Sequence, residues 1–132
     1  MSDARDLSGV WYGRYDGDGG EQSNGFIALL EDFGGILTGS ISELDSRGPG
    51  IRRADAVGVR TGSSVRFTKQ YDGSGGWHHS VAYQGNVDDR GTVIEGAWQV
   101  EWVQGRFTMQ REKFTEEELD AEEEAERALW FR

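Results

Sequence analysis

Val65-Arg66-Phe67-Thr68-Lys69-Gln70-Tyr71 alternates strictly, with Val65, Phe67, Lys69 and Tyr71 on one side and Arg66, Thr68 and Gln70 on the other. Two is the side-chain period of a β-strand, in which successive residues point to opposite faces. The stretch therefore reads as a half-buried strand, and others like it follow along the chain. Trp11, Gly13 and Tyr15 share one face of a run, as do Leu37, Gly39 and Ile41. His79, Val81, Tyr83 and Gly85 do the same, then Ile94, Gly96, Trp98 and Val100, and finally Phe107, Met109 and Arg111. Gly and Asp turns break the runs at short intervals. The predicted strands are 9–16, 24–32, 35–43, 53–62, 63–71, 78–88, 91–101 and 105–113, with Val57 and Val59 pointing inward on the fourth. Outward positions are mostly polar, among them Arg66, Thr68, Gln84, Glu95 and Thr108.

One apolar face per strand and short connections fit an antiparallel meander. Eight such strands close into a barrel, which leaves no open edge. The predicted fold is all-β: an eight-stranded antiparallel up-and-down barrel over 1–114, followed by an acidic C-terminal α-helix over 115–132 that is not a separate domain. The turns centred on Phe33–Gly34, Thr61–Gly62 and Asp89–Arg90 are tight, whereas connections 17–23, 44–52 and 72–77 are longer. In a meander the longer connections share one end, which is the natural mouth. Inward Gly13, Gly39, Gly85 and Gly96 relieve crowding where curved strands meet large aromatics. A weak repeat has the same period as the topology. Tyr15–Gly20 resembles Tyr71–Gly76, and Gly34-x-x-Leu37-x-Gly39-x-Ile41 resembles Gly91-x-x-Ile94-x-Gly96-x-Trp98, each at an offset of four strands. Duplication and convergent turn chemistry both account for it.

The chain has 132 residues, enough for one domain with a single core. Its net charge is −10, of which −6 lies in 115–132, and all 20 Gly fall at or before Gly105. The absence of Cys excludes disulfides, thiolate metal sites and Cys nucleophiles. No apolar run is long enough for a membrane-spanning helix. The acidic balance disfavours nucleic acid and anionic membranes as partners. The start, MSDARDLSG, carries no apolar leader, so a cytoplasmic location is expected. In the tail, Thr115 and Glu118 form a capping box. Its end, Trp130 and Phe131, either docks on the body or contacts a partner.

The inward polar residues carry the chemistry. Lys69, His79 and Tyr83 lie on adjacent strands, Tyr15 and Tyr71 end their strands near the mouth, and Asp55 is placed to join from the fourth strand. A buried ionisable group needs a partner. The cluster therefore reads as rim residues reaching solvent, as groups that orient a polar ligand, or as an acid–base set with His79 as base and Tyr83 or Lys69 as donor. His78 and His79 are adjacent and point to opposite faces, so they cannot chelate one metal together, and no metal or cofactor is expected. Asp16-x-Asp18-x-x-Glu21 lacks the twelfth-position Glu of a calcium loop, Ile27 standing there, and reads as turn chemistry. No helix follows the Gly clusters at 17–20 and 73–76, so neither is a dinucleotide loop. Trp77 reads as a lid, an interface residue or a side chain folded onto the rim.

Leu7-Ser8-Gly9-Val10-Trp11-Tyr12 resembles the opening motif of the calycin barrels, the lipocalin and avidin-like group. The resemblance implies that Trp11 packs at the closed end against a basic residue of the last strand, which Arg111 matches. The spacing from Gly91 to Phe107 looks more avidin-like than lipocalin-like. Gly13 stands where biotin binding would want a hydrogen-bonding side chain, so biotin is not expected. The leading reading is binding of a small, partly aromatic or apolar molecule, with an anionic or carbonyl group, by Tyr15, Phe67, Lys69, Tyr71, His79, Tyr83, Trp98 and Phe107. The alternatives are a small barrel enzyme of isomerase, cyclase or decarboxylase type using His79, Lys69 and Tyr83, or an interaction module. A homo-oligomer would form through the barrel face or helix 115–132.

Overall fold

A computed structural model of the chain describes residues 5–17, 23–44, 50–101, 103–112 and 125. Eight strands are present: β1 (Gly9–Gly17), β2 (Ser23–Phe33), β3 (Ile36–Leu44), β4 (Ile51–Thr61), β5 (Ser64–Tyr71), β6 (Ser80–Val87), β7 (Val93–Val100) and β8 (Val103–Gln110). Each pairs antiparallel with the next and β8 pairs with β1, so the sheet is a closed barrel. The β2–β3 hairpin turns on Gly34 and Gly35, one residue later than predicted. Both are left-handed, at φ 59° and 97°, as a two-residue turn between paired Phe33 and Ile36 requires. The predicted helix 115–132 lies outside the described residues except for residue 125, and so do most of connections 17–23 and 44–52. Among the described residues no helix is long and apolar enough to cross a membrane.

The inward faces of β1, β3, β5, β7 and β8 are those read from the alternation. β4 is the exception. Val57 and Val59 are exposed on the outer face, at 62 % and 42 %, and Asp55 also points out. The inward set is Arg52, Ala54, Ala56 and Gly58. Register explains the reversal. Ala54, Ala56 and Gly58 stand directly opposite Tyr71, Lys69 and Phe67 of β5, so small residues accommodate large neighbours on the same face. Size complementarity across the ladder outweighs the greater hydrophobicity of valine. The outer face also departs from the polar expectation on β1 and β2, where Val10 pairs with Leu29 and Tyr12 with Ile27, all four exposed.

The closed end is plugged by the approach to β1. Leu7 is fully buried and its carbonyl accepts a 2.8 Å hydrogen bond from Trp11 Nε1. Arg111, just beyond β8, lies over the Trp11 indole with its guanidinium carbon 4.3 Å from the ring centroid. It donates to the carbonyls of Ser8 (2.6 Å), Gly91 (2.8 Å) and Asp6. Buried Asp32 accepts from the backbone N–H groups of Leu7 (3.0 Å) and Gly35 (2.8 Å) and from Arg60 Nε (2.7 Å). These contacts tie β2, β4 and the chain start together at one end and leave the other end to hold the site.

Candidate functional site

The barrel opens at the end carrying the β5–β6 connection. There a cavity of ≈340 Å³ is lined by Tyr15 of β1, Lys69 and Tyr71 of β5, Trp77 and His79 of the connection, Val81 and Tyr83 of β6, Trp98 and Val100 of β7, and Val103 of β8. Six of the eight predicted ligand residues thus converge: Tyr15, Lys69, Tyr71, His79, Tyr83 and Trp98. Phe67 and Phe107 do not line it. Both are buried, Phe67 stacked on Tyr83 with ring centroids 4.8 Å apart and Phe107 edge-on to Tyr83 at 4.9 Å, so they fix the tyrosine.

Lys69 decides the chemistry of the floor. It is 1 % exposed, which removes the reading in which it reaches solvent at the rim. Its Nζ donates to Glu43 Oε2 at 3.2 Å and lies 4.7 Å from the ring centroids of Tyr15 and Tyr71 and 5.2 Å from that of Tyr83. Glu43, 3 % exposed, is the hub. Its Oε1 accepts from Tyr71 OH (2.5 Å), Arg52 Nε (3.0 Å) and Tyr15 OH (3.3 Å). Burial pushes the Glu43 carboxyl up, but the charge of Lys69 and the hydrogen bonds from Tyr71, Arg52 and Lys69 outweigh it and hold Glu43 ionised below its usual range. Burial pushes the Lys69 ammonium down, with Arg52 adding to this and Glu43 opposing it. Tyr71 and Tyr83 are both pushed far above the ordinary phenol range, chiefly by burial, and stay neutral.

The rim is aromatic. Trp77 lies over Arg52, whose guanidinium carbon is 3.9 Å from its ring centroid, and stands edge-on to Tyr71 at 5.1 Å. The Trp77 side chain is folded onto the rim and also lines the cavity. His79, at the entrance to β6, is exposed and packs against the rings of Tyr71 (4.8 Å) and Trp77 (5.1 Å). Burial of its ring and the nearby Lys69 charge lower its pKa. Among the described residues no hydrogen bond joins the His79 side chain to Lys69 or Tyr83, although all three line the cavity. Trp98 stands edge-on to Tyr15 at 6.0 Å and donates from Nε1 to Asp16 O at 2.9 Å.

Glu43 and Arg52 were missed from the sequence. The signal was present: Glu43 continues the Leu37–Gly39–Ile41 face by one more period of two, and Arg52 shares a face with Ala54 and Ala56. Charged residues at strand ends ordinarily face water, and nothing local marks these two as a pair. A hollow of ≈370 Å³ on the outer face has one charged side chain, the exposed Arg66. Among the described residues no group of three His, Asp or Glu side chains could hold a metal ion.

The closed eight-stranded antiparallel barrel is shared with a solved protein. A redesigned β-barrel, mFAP1, bound to DFHBI, superposes with a TM-score of 0.63 at 18 % identity, over 84 % of this chain and 100 % of that one. No protein-family model and no curated protein sequence matches the chain. The calycin resemblance therefore rests on the Gly9-Val10-Trp11 motif and the Arg111–Trp11 contact, and the structural likeness is one of fold.

Proposed function

We propose that the protein is a small-molecule-binding barrel whose ligand has a flat apolar or aromatic body and one hydrogen-bond-accepting group, a carboxylate or carbonyl, inserted toward Lys69. One observation carries this reading. The Lys69 ammonium has three N–H donors, and among the described residues Glu43 Oε2 is the one acceptor that it reaches. It stands at the floor of a cavity walled by Tyr15, Trp98, Trp77 and valines. A buried charge with spare donors is costly, and an acceptor on a ligand relieves that cost. Apolar walls with a few converging polar groups are the usual make-up of a ligand pocket, and the volume is within the usual range. The fold neighbour, whose structure is bound to DFHBI, supports the reading at the level of the barrel.

The test uses 2-naphthoate and its neutral counterpart naphthalene, with binding followed by tryptophan fluorescence and melting temperature. Naphthoate is expected to bind the tighter by about tenfold, the yield of one charge-assisted hydrogen bond. The variant Lys69→Met, which leaves Glu43 paired with Arg52, is expected to abolish that preference and keep the fold. Equal binding of both compounds, or no binding of either, would overturn the proposal.

A further inference from the structure

We propose that Lys69 is also a nucleophile, capturing aromatic aldehydes in the cavity as a Schiff base held against Glu43. The inference deepens the binding proposal above and rests on it for the placement of the ligand. Lys69 lines the cavity, and a carbonyl group seated to accept a hydrogen bond from its ammonium would have its carbon within reach of the nitrogen. Glu43 Oε2, 3.2 Å from Nζ, is placed to take a proton from the ammonium and return it. Its other oxygen is pinned by Tyr71, Arg52 and Tyr15, so the carboxylate is held in place for that exchange. Apolar desolvation and a neighbouring cation are the two ordinary means of freeing a lysine amine for carbonyl chemistry. Lys69 has both, being buried among aromatic rings and lowered further by Arg52.

The step balances without a co-reactant. Glu43 takes one ammonium proton. The amine lone pair forms a C–N bond to the carbonyl carbon, the C=O π pair moves to oxygen, and a proton passes from nitrogen to that oxygen, giving a carbinolamine. Glu43 returns its proton to the hydroxyl, the C–O bond breaks, water leaves and the nitrogen lone pair closes C=N. In sum, ammonium and aldehyde give iminium and water. The iminium carries the same single positive charge beside the same carboxylate, so the buried electrostatics are unchanged by the reaction. This is the condition a buried ion pair demands, since an uncompensated charge there is strongly destabilising.

The chain has two lysines, Lys69 and Lys113, which makes the test selective. The full-length protein is incubated with 2-naphthaldehyde and sodium cyanoborohydride, which reduces the imine to a stable amine, and then read by intact mass and peptide fragmentation. One adduct per chain is expected, on Lys69. It should be lost in Lys69→Met, where Glu43 keeps its Arg52 partner, and retained in Lys113→Arg. Glu43→Gln, checked for fold by circular dichroism, is expected to slow labelling. Adducts confined to Lys113 or the N-terminal amine, or labelling unaltered by the Lys69 substitution, would overturn the inference. 2-Naphthoate, which forms no imine, is titrated in parallel. Naphthoate binding without a Lys69 adduct overturns the covalent step alone, whereas failure of both overturns the binding reading as well.

Discussion

Lys69 Nζ stands 3.2 Å from Glu43 Oε2, with side-chain exposures of 2 % and 1 %, and Arg52 Nε reaches the other oxygen of the same carboxylate at 3.0 Å. One anion therefore pairs with two cations that come from different strands, leaving one net positive charge and joining β3, β4 and β5 beneath the mouth. Glu43→Gln leaves both cations facing a neutral amide. Breaking a buried pair by removing one partner costs about 3–5 kcal/mol, and urea unfolding of the variant is expected to show a loss of that size. Adding Lys69→Met should recover part of it, because the second substitution removes a stranded charge. Simple additivity of the two single losses would contradict the pairing.

Acid should weaken the fold through the same carboxylate. Glu43 is held below its usual 4.5 because the charge of Lys69 and three hydrogen bonds more than offset burial. Asp32 is held below 3.8 because the Arg60 hydrogen bond and the Leu7 and Gly35 amides more than offset its burial. For both groups the unfolded chain takes up its proton first as pH falls. Their contribution to stability is complete above the unfolded values and is lost as pH drops through the folded ones. His79 acts in the same direction below 6.5, since burial and Lys69 lower it in the folded chain. Lys69, itself lowered from 10.5, adds stability as pH rises from its folded value toward the unfolded one. Urea midpoints are expected to fall between about pH 5 and pH 3, and to fall less steeply in Asp32→Asn. A flat profile would show that neither carboxylate is paired as described.

The barrel itself was legible because most strands advertise their inward face by alternation, and Gly and Asp turns mark the connections. The cavity was legible in part, through Lys69, Tyr71 and Tyr83 on the inward faces of neighbouring strands. Two things were hidden. Strand β4 offered larger apolar residues on the wrong face, and only the register placing Ala54, Ala56 and Gly58 against Tyr71, Lys69 and Phe67 resolves it. Glu43 and Arg52 lie far apart in meaning on a one-dimensional reading, since each is unremarkable until the β3–β4 ladder sets them as direct partners.

Gly96 faces Gly85 across the β6–β7 ladder, and a Cβ on Gly96 would fall 2.0 Å from Gln84 O and 2.5 Å from Gly85 Cα. Both obstacles are backbone, so no side chain can swing away. Gly39, its counterpart in the sequence repeat, is closed off in the same way, with Leu29 O 2.2 Å from a Cβ. Gly96→Ala is expected to cost at least the about 1–3 kcal/mol typical of overpacking, because the ladder must spread to admit the methyl. Thermal unfolding measures it. A neutral outcome would show that the strands approach less closely than the interior glycines imply.

Arg111 and Trp11 lie at the far end from Lys69, which separates stability from binding. The Arg111 guanidinium covers the indole at 4.3 Å while its fork donates to the carbonyls of Ser8, Gly91 and Asp6. Arg111→Lys keeps the charge but not the planar fork, and a lysine cannot serve three divergent carbonyls while stacking on the ring. Each abandoned carbonyl loses a hydrogen bond from a charged donor, so a loss of about 2–3 kcal/mol is expected in denaturant unfolding. Naphthoate affinity, measured where the variant is fully folded, should stay at the parent value, because no atom of the closed end lines the cavity. A variant that kept its stability would show that the Arg111 fork is dispensable. A stability loss accompanied by weakened binding would show that the two ends of the barrel are coupled through the strands.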